Sequence, residues 1–280
     1  DVEGKYTRIW LCVKAQHTVS TVEQLIGHLS DNGYVLSLQN GLNEILISRA
    51  VGEERTLGAF VNFGADYIGP GKIMYGGRGA VVVGELGKNE TPRLLEVHSL
   101  LKFFDEGAQT TDNIWGYLWG KLGYGALLFA TALTNESIAD VLDNKKYQPM
   151  LKNLASELSE LAVAQNIELQ GFNGYDPYAF LEEAADEKAT NSFDAMVAHN
   201  RKSAKSHSGI WRDLAVRKRK TEADPQLTLP VYLGKELGHP MPLTRLLISL
   251  INEIEIGERS LAYENLEELN SLFKEVENAN

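Results

Sequence analysis

Apolar residues in the first hundred positions come in short runs broken by turns, whereas beyond about position 110 they recur at three- and four-residue intervals. Ile9-Trp10-Leu11-Cys12-Val13 is a continuous apolar run closed by Lys14, the pattern of a strand buried on both faces. Val19 to Leu29 has helical spacing, with Thr18 or Ser20 as its cap and Asn32-Gly33 as its stop. Tyr34-Val35-Leu36-Ser37-Leu38 reads as the next strand and ends at Gln39-Asn40-Gly41. Strand, helix and strand within about 30 residues make a βαβ unit, so the two strands should be parallel. Leu57 to Phe63 and Gly79 to Gly84 supply further strands, joined by the turn Ile68-Gly69-Pro70-Gly71, with Gly76-Gly77-Arg78-Gly79 as further turn material.

The later texture is helical. Leu151, Leu154, Leu158, Leu161 and Ala162 form one apolar stripe, and Leu246, Leu247, Leu250, Ile251 and Ile254 form another after Pro240-Met241-Pro242. Phe172 to Asp194 is acidic and mixed, and reads as containing a loop. The pattern predicts an α/β first domain over 1–109 and an all-helical second domain over 110–280, with the change of texture near Gly107 to Thr111.

Composition narrows the function. The chain of 280 residues carries 27 Lys plus Arg against 38 Asp plus Glu, a formal charge of −11. That balance opposes nucleic-acid binding, which draws on surplus cations to release counterions from phosphate. No apolar run of about 18 residues is present to span a membrane, and the first residues carry no signal-peptide pattern. A single cysteine, Cys12, excludes an intrachain disulfide framework and fits a reducing, cytoplasmic setting; inside an apolar strand its thiol reads as a small hydrophobe. The six histidines show no metal-ligand spacing, so no metal is expected.

Candidate chemistry sits at few positions. GxGxxG, Walker and GxSxG patterns are absent. Lys14 and Asn40 end the two strands of the βαβ unit, where ligands of open α/β sheets bind, although Asn40-Gly41 is also a common turn dipeptide. Lys121 lies among Ile114, Trp115, Tyr117, Leu118 and Tyr124. Apolar surroundings disfavour an ammonium and suit it to acid–base work, whereas a lysine with its stem on an apolar face and its head in water is the structural alternative. Arg201 to Lys220 holds eight basic residues, read as a solvated face, a nucleic-acid patch or a well for a small anion.

Together these pieces resemble the ketopantoate reductase (2-dehydropantoate 2-reductase) family. Val13-Lys14-Ala15 is similar to its strand-ending lysine, and Leu38-Gln39-Asn40-Gly41-Leu42 with Glu44 to its QNG segment. Leu57-Gly58, Phe63-Gly64-Ala65, Pro70-Gly71 and Val83-Gly84-Glu85 follow in order. Asn113-Ile114 to Leu122, Thr131-Ala132-Leu133-Thr134, Ser208 to Asp213, Thr221-Glu222-Ala223-Asp224 and Gly238 to Leu243 complete the resemblance. It implies a Rossmann-type dinucleotide-binding domain followed by a helical substrate-binding and dimerisation domain, and NADPH-dependent reduction of a 2-oxo acid to the 2-hydroxy acid. By the same resemblance Lys121 is the general acid and Glu222 orients substrate and lysine. Lys14, Asn40, Gly64, Ala65 and Glu222 attend the NADP(H) cofactor. Lys121, Gly125, Ser208 and Gly209 attend the substrate, and a homodimer is implied.

The departures are equally specific. The family's asparagines four and eight residues after its lysine are here Gly125 and Phe129, and a glycine, Gly209, stands where a substrate serine is expected. The exchange of amides for a phenyl ring implies a less polar pocket and a more apolar substrate than ketopantoate. The resemblance also places a GxGxxG strand–loop segment of roughly 60 residues ahead of Ile9, so the Rossmann-type part is expected to be N-terminally incomplete here, and a protein made of these 280 residues alone is expected to bind NADPH poorly. The rival reading is a non-catalytic relative that keeps the helical domain for ligand binding or dimerisation.

Overall fold

A computed structural model describes residues 3–203 and 205–279. It divides into two compact units, one up to Leu118 and one from Trp119. In the first, strands β1 (Tyr6–Leu11), β2 (Leu29–Ser37), β3 (Thr56–Val61), β6 (Val81–Glu85) and β7 (Gln109–Thr110) form one sheet in the order β1-β2-β3-β6-β7. β1, β2 and β3 are parallel, β6 runs antiparallel to β3, and β7 is parallel to β6. Helices α1 (Thr18–Leu25) and α2 (Asn43–Val51) connect the parallel strands, and α3 (Pro92–Leu101) follows β6. This is the mixed α/β sheet expected of the N-terminal part.

Alternation along β2 divides the core between the two faces of the sheet. Tyr34 and Leu36 join Leu57, Val81 and Val83 under Leu94, Val97 and Leu101 of α3. Val35 joins Leu11 with Val22 of α1 and Ile47 and Val51 of α2 on the other face. Close approach at two glycines sets how the start of α4 (Ile114–Thr131) packs on this sheet. A Cβ at Gly84 would stand 2.7 Å from the Thr111 carbonyl oxygen, and one at Gly58 3.0 Å from Ile114 Cγ1.

Several expectations change. The first strand is Tyr6–Leu11, not Ile9–Val13, and it is not buried on both faces: in this sheet order it lies at the edge, with Trp10 37% exposed and only Leu11 fully buried. Cys12 falls beyond the strand and is exposed, so it is not a core thiol. Asn32-Gly33 does not stop a helix but lies inside β2. Gly33 is required there because a Cβ would meet the Tyr6 carbonyl oxygen at 2.8 Å. The stretch read as turns between β3 and β6 is a second, two-stranded sheet of β4 (Gly64–Gly69) and β5 (Lys72–Gly77). Its tip is Pro70-Gly71, with Gly71 at φ +69°.

In the second unit α4 continues, followed by α5 (Ile138–Asp143), α6 (Gln148–Ala164), α7 (Asp186–Lys202), the single turn α8 (Gly209–Trp211), α9 (Ala223–Leu237), α10 (Pro242–Glu255) and α11 (Tyr263–Ala279). The stripe predicted for α6 is buried, Leu151, Leu154 and Leu161 completely so; of that predicted for α10, Leu247, Leu250 and Ile251 are completely buried and Leu246 and Ile254 half-buried. The acidic stretch read as containing a loop folds as a 3-10 turn, Pro177–Phe180, and the first half of α7. Aromatic rings hold it: Tyr175 stacks on Phe180 at 5.1 Å, and Phe180 meets Phe193 edge-on at 5.2 Å.

Candidate functional site

Residues named from the sequence fall on six short pieces of backbone. In the first unit Lys14 and Asn40 follow the carboxyl ends of the adjacent parallel strands β1 and β2. A buried amide ties the two loops together. The Gln39 side-chain Nε2 donates to the Val13 carbonyl at 2.8 Å and to Thr18 Oγ1 at 2.7 Å, and Thr18 Oγ1 donates to Asn43 Oδ1 at 2.8 Å. Asn43 Nδ2 in turn donates to the Asn40 carbonyl at 2.6 Å. Gln39, Thr18 and Asn43 are all nearly inaccessible, whereas Asn40 is exposed and Lys14 half-buried. Gly41 at φ +90° takes the chain out of the strand into α2. Thr18, read as a helix cap, is instead the central hydroxyl of this network. Gly64 and Ala65 open β4, where Gly64 pairs with Gly77 and Ala65 with Tyr75; Ala65 is exposed.

In the second unit α4 is buried nearly all round. Trp119, Leu122, Tyr124, Ala126, Leu127, Phe129 and Ala130 are all inaccessible or nearly so, whereas Lys121, Gly125 and Leu128 are partly exposed. Offsets of four and seven residues put these three within about 60° of one another on the helix surface. Lys121 therefore lies on the one partly exposed stripe of this stretch. A Cβ built at Gly125 would meet nothing within 4 Å, so open space adjoins the lysine one turn along. The sequence pattern assigned the apolar change in this neighbourhood to Phe129, and the fold corrects that assignment. Phe129 is 1% exposed, about 80° round the helix from Lys121, and Leu128 is the apolar residue on the stripe.

Ser208 Oγ accepts from the Trp211 backbone N–H at 3.1 Å and so caps the α8 turn, leaving its own proton outside that bond. Gly209 beside it is exposed, with nothing within 4 Å of an added Cβ. Glu222 is half-buried at the N-cap position of α9, and its carboxylate does not cap that helix. The backbone on its N-terminal side is pinned from 34 residues away. Glu255 Oε1 accepts from both the Thr221 N–H and the Thr221 hydroxyl at 2.7 Å, while that hydroxyl accepts from the Ala223 N–H at 3.1 Å. Sequence reading missed Glu255, because only the folded chain brings it to Thr221.

The four arginines of the basic run are spent on structure. Arg217 Nη1 and Arg219 Nε both donate to the buried Asp213 carboxylate at 2.9 Å, Arg212 to the His207 carbonyl at 3.0 Å, and Arg201 to Asp143. Elsewhere in this unit the Glu157 carboxylate receives the Leu243 and Thr244 N–H groups at 2.8 Å and the Thr244 hydroxyl at 2.6 Å. It thereby satisfies the N-terminal donors of α10. Burial outweighs those three bonds and pushes its carboxyl up to about 7. Among the described residues no group of three His, Cys, Asp or Glu is placed to hold a metal ion, and no helix is long and apolar enough to cross a membrane.

Comparison with known proteins bears on both units. Residues 1–88 match the family model described as ketopantoate reductase PanE/ApbA, and residues 113–255 match its C-terminal model. A 2-dehydropantoate 2-reductase of Archaeoglobus fulgidus is 24% identical over 250 residues, covering 89% of this chain and 76% of the relative. The fold is shared with a crystal structure of 2-dehydropantoate 2-reductase from Geobacter metallireducens GS-15, at TM-score 0.74 and 21% identity over 89% of this chain and 78% of that one. It is shared too with a complex of D-mandelate dehydrogenase with NADH, at TM-score 0.73 and 20% identity over 90% of this chain and 80% of that one.

Proposed function

The chain belongs to the ketopantoate reductase family, and from that premise we propose that it reduces an apolar 2-oxo acid to the 2-hydroxy acid with NADP(H), in the cytoplasm. The observation that carries this reading is the placement of Lys121, the charged residue on the partly exposed stripe of an otherwise buried stretch of helix, with open space at Gly125.

The loops after β1 and β2 fit a dinucleotide. Two polar side chains, Lys14 and Asn40, follow adjacent parallel strand ends, and a buried amide network fixes the backbone beneath them. Lys14, Asn40 and the backbone at Gly64-Ala65 would hold the cofactor's polar groups. Bound there, the reduced nicotinamide supplies a hydride equivalent.

Lys121 does the acid work. Its ammonium hydrogen-bonds the carbonyl oxygen of the substrate, stabilises the negative charge that develops there, and gives up one proton to it. The carbonyl thus gains one hydride and one proton, which balances a 2-oxo acid to a 2-hydroxy acid. The lysine is recharged from solvent along its own partly exposed stripe. Glu222 accepts a hydrogen bond from the new hydroxyl and orients the lysine. Ser208 offers its remaining proton to the substrate, and Gly125 and Gly209 leave room for it. With Leu128 on the stripe and no amide at 125, the neighbourhood of the lysine selects an apolar side chain rather than a hydroxylated one. A D-mandelate dehydrogenase on the same fold is in keeping with an aryl substrate.

Oxidation of NADPH and of NADH, followed with ketopantoate and with a panel of aryl and branched 2-oxo acids, tests the reading. Faster turnover of an apolar acid than of ketopantoate, with NADPH preferred, is expected. Ketopantoate as the best substrate overturns the apolar assignment, and no oxidation with any 2-oxo acid overturns the reductase.

A further inference from the structure

The helical unit carries a cleft of about 550 Å³ between α6, α7 and the end of α11, within the size range of small-molecule sites. Its floor is apolar: Phe180 from the 3-10 turn, Phe193 from α7 and Phe273 from α11. Gln148, Lys152 and Ser156, spaced by four residues, turn one face of α6 towards it. Two of these three carry polar atoms that the fold buries and does not use. Ser156 is 7% exposed, and among the described residues its hydroxyl has no hydrogen-bond partner. Gln148 is 8% exposed, and its Nε2 donates to the Leu142 carbonyl at 2.8 Å, which leaves its side-chain oxygen without a donor. Buried polar atoms are ordinarily paired, so two unpaired oxygens on one cleft mark the place of a ligand's polar group.

We propose that this cleft binds a small amine with an aromatic body. Such a molecule differs in class from a 2-oxo acid, and the proposal does not rest on the reductase reading. The charges lining the cleft select the amine. Lys145 is paired with Asp194 at 3.2 Å. Lys152 is paired with Asp186 at 2.7 Å and also donates to the Ala184 carbonyl at 3.1 Å. Both cations are thus engaged, whereas Glu182 and Glu277 line the cleft with no ion pair among the described residues. Two unpaired carboxylates draw in an ammonium and repel a carboxylate. The free acceptors agree: the Gln148 oxygen, the Ser156 hydroxyl oxygen and the two carboxylates all await donors, and an ammonium offers nothing else. The phenyl rings of the floor favour an aromatic body, because aromatic pairs gain more than their buried area alone.

Isothermal titration calorimetry tests the proposal with two probes on one skeleton, phenethylamine and 3-phenylpropanoate. Phenethylamine should bind with a Kd of about 1 mM or below, and 3-phenylpropanoate at least about tenfold more weakly. Ser156→Ala removes a hydroxyl that has no protein partner, so it should keep or raise Tm and yet weaken phenethylamine by about 3–10-fold. A second variant lies wholly on the exposed rim: Glu182→Gln with Glu277→Gln should narrow the gap between amine and carboxylate. Binding of 3-phenylpropanoate as tight as that of phenethylamine overturns the amine class. Unchanged phenethylamine affinity in the folded Ser156→Ala variant places the binding elsewhere and overturns the site, as does an unchanged gap in the rim variant. No binding of either probe at about 10 mM overturns the proposal and leaves the two oxygens to water alone.

Discussion

Three glycines within two turns of α4 should respond to the same substitution in opposite directions. A glycine inside a helix costs about 1 kcal/mol relative to alanine, through the freedom it loses on folding. At Gly125 an added Cβ meets nothing within 4 Å, so Gly125→Ala should recover that amount and raise Tm by about 2–4 °C. At Gly120 the Cβ would lie 2.1 Å from the Gln170 carbonyl oxygen, and at Gly123 2.3 Å from Tyr175 Oη. Ordinary contact lies beyond 3.4 Å, so either substitution forces a movement of more than 1 Å. Neither neighbour yields easily: Gln170 presents backbone, and the fully buried Tyr175 ring is stacked on Phe180. Overpacking of that kind costs about 1–3 kcal/mol or more, which exceeds the helix gain. Gly120→Ala and Gly123→Ala should therefore lower the urea midpoint while Gly125→Ala raises it, all at unchanged m-value. A neutral Gly120→Ala, or a destabilising Gly125→Ala, would refute the packing on which this rests. A larger side chain carries the functional arm: Gly125→Leu should keep or raise Tm and yet raise KM for the oxo acid, because it fills the space beside Lys121.

Three further outcomes are expected. Lys121→Ala should lower kcat by about 10²–10⁴-fold, and Lys121→Arg should not restore it, since a guanidinium does not release its proton at neutral pH; unchanged turnover in either removes the general acid. Glu255→Ala should lower kcat/KM by leaving Thr221 without its acceptor and loosening the backbone at Glu222, while Glu255→Gln, which keeps an acceptor oxygen, should recover most of it; equal activity in both variants overturns the positioning role. Glu157 titrates near 7 in the fold, above its unfolded value, so its contribution is fully present below about 4.5 and is lost as pH rises through about 7. Wild-type stability relative to Glu157→Gln should therefore fall across that window by on the order of 1–3 kcal/mol, and urea unfolding of both proteins at a flat difference from pH 4.5 to 7 would contradict it.

What the sequence discloses of this fold depends on whether the buried face of each element is apolar. α6 and α10 also bury Gln148, Ser156, Ser159 and Thr244, but their buried leucines and isoleucines recur at three- and four-residue intervals, so spacing alone locates them. α7 buries Ser192 and Asn200 along with Phe193, Met196 and Val197, and its pattern is too polar to stand out from the loop before it. The hairpin misleads in the opposite sense, because its apolar residues are exposed and its glycines imitate turns. For the site, Lys121 is legible by contrast, as a lone charge among aromatic residues. The Phe129 assignment failed for a geometric reason: eight residues advance the helix by two turns plus about 80°, whereas seven return to the same stripe. The Thr221–Glu255 contact has no sequence signal, since 34 residues separate partners that meet through α9 and α10.

The same glycines that set the stability of α4 also set where its lysine points. Gly120 and Gly123 lie within about 60° of one another and bring the helix against the Gln170 backbone and the Tyr175 ring. Lys121 lies about 100° from the first and about 160° from the second. Contact at the two glycines therefore fixes the rotation of the helix about its axis, and with it the direction of the stripe that carries Lys121, Gly125 and Leu128. A shift of 1 Å in a reacting group costs on the order of 10²-fold in rate, far more than the same shift costs in packing energy. Gly120→Ala should accordingly lose kcat out of proportion to its loss of stability, even at temperatures where it is fully folded. Gly125→Ala, which disturbs neither contact, should hold kcat while it gains stability. If both variants instead track their stability alone, the close-packed side of α4 serves only to hold the helix and plays no part in aiming the lysine.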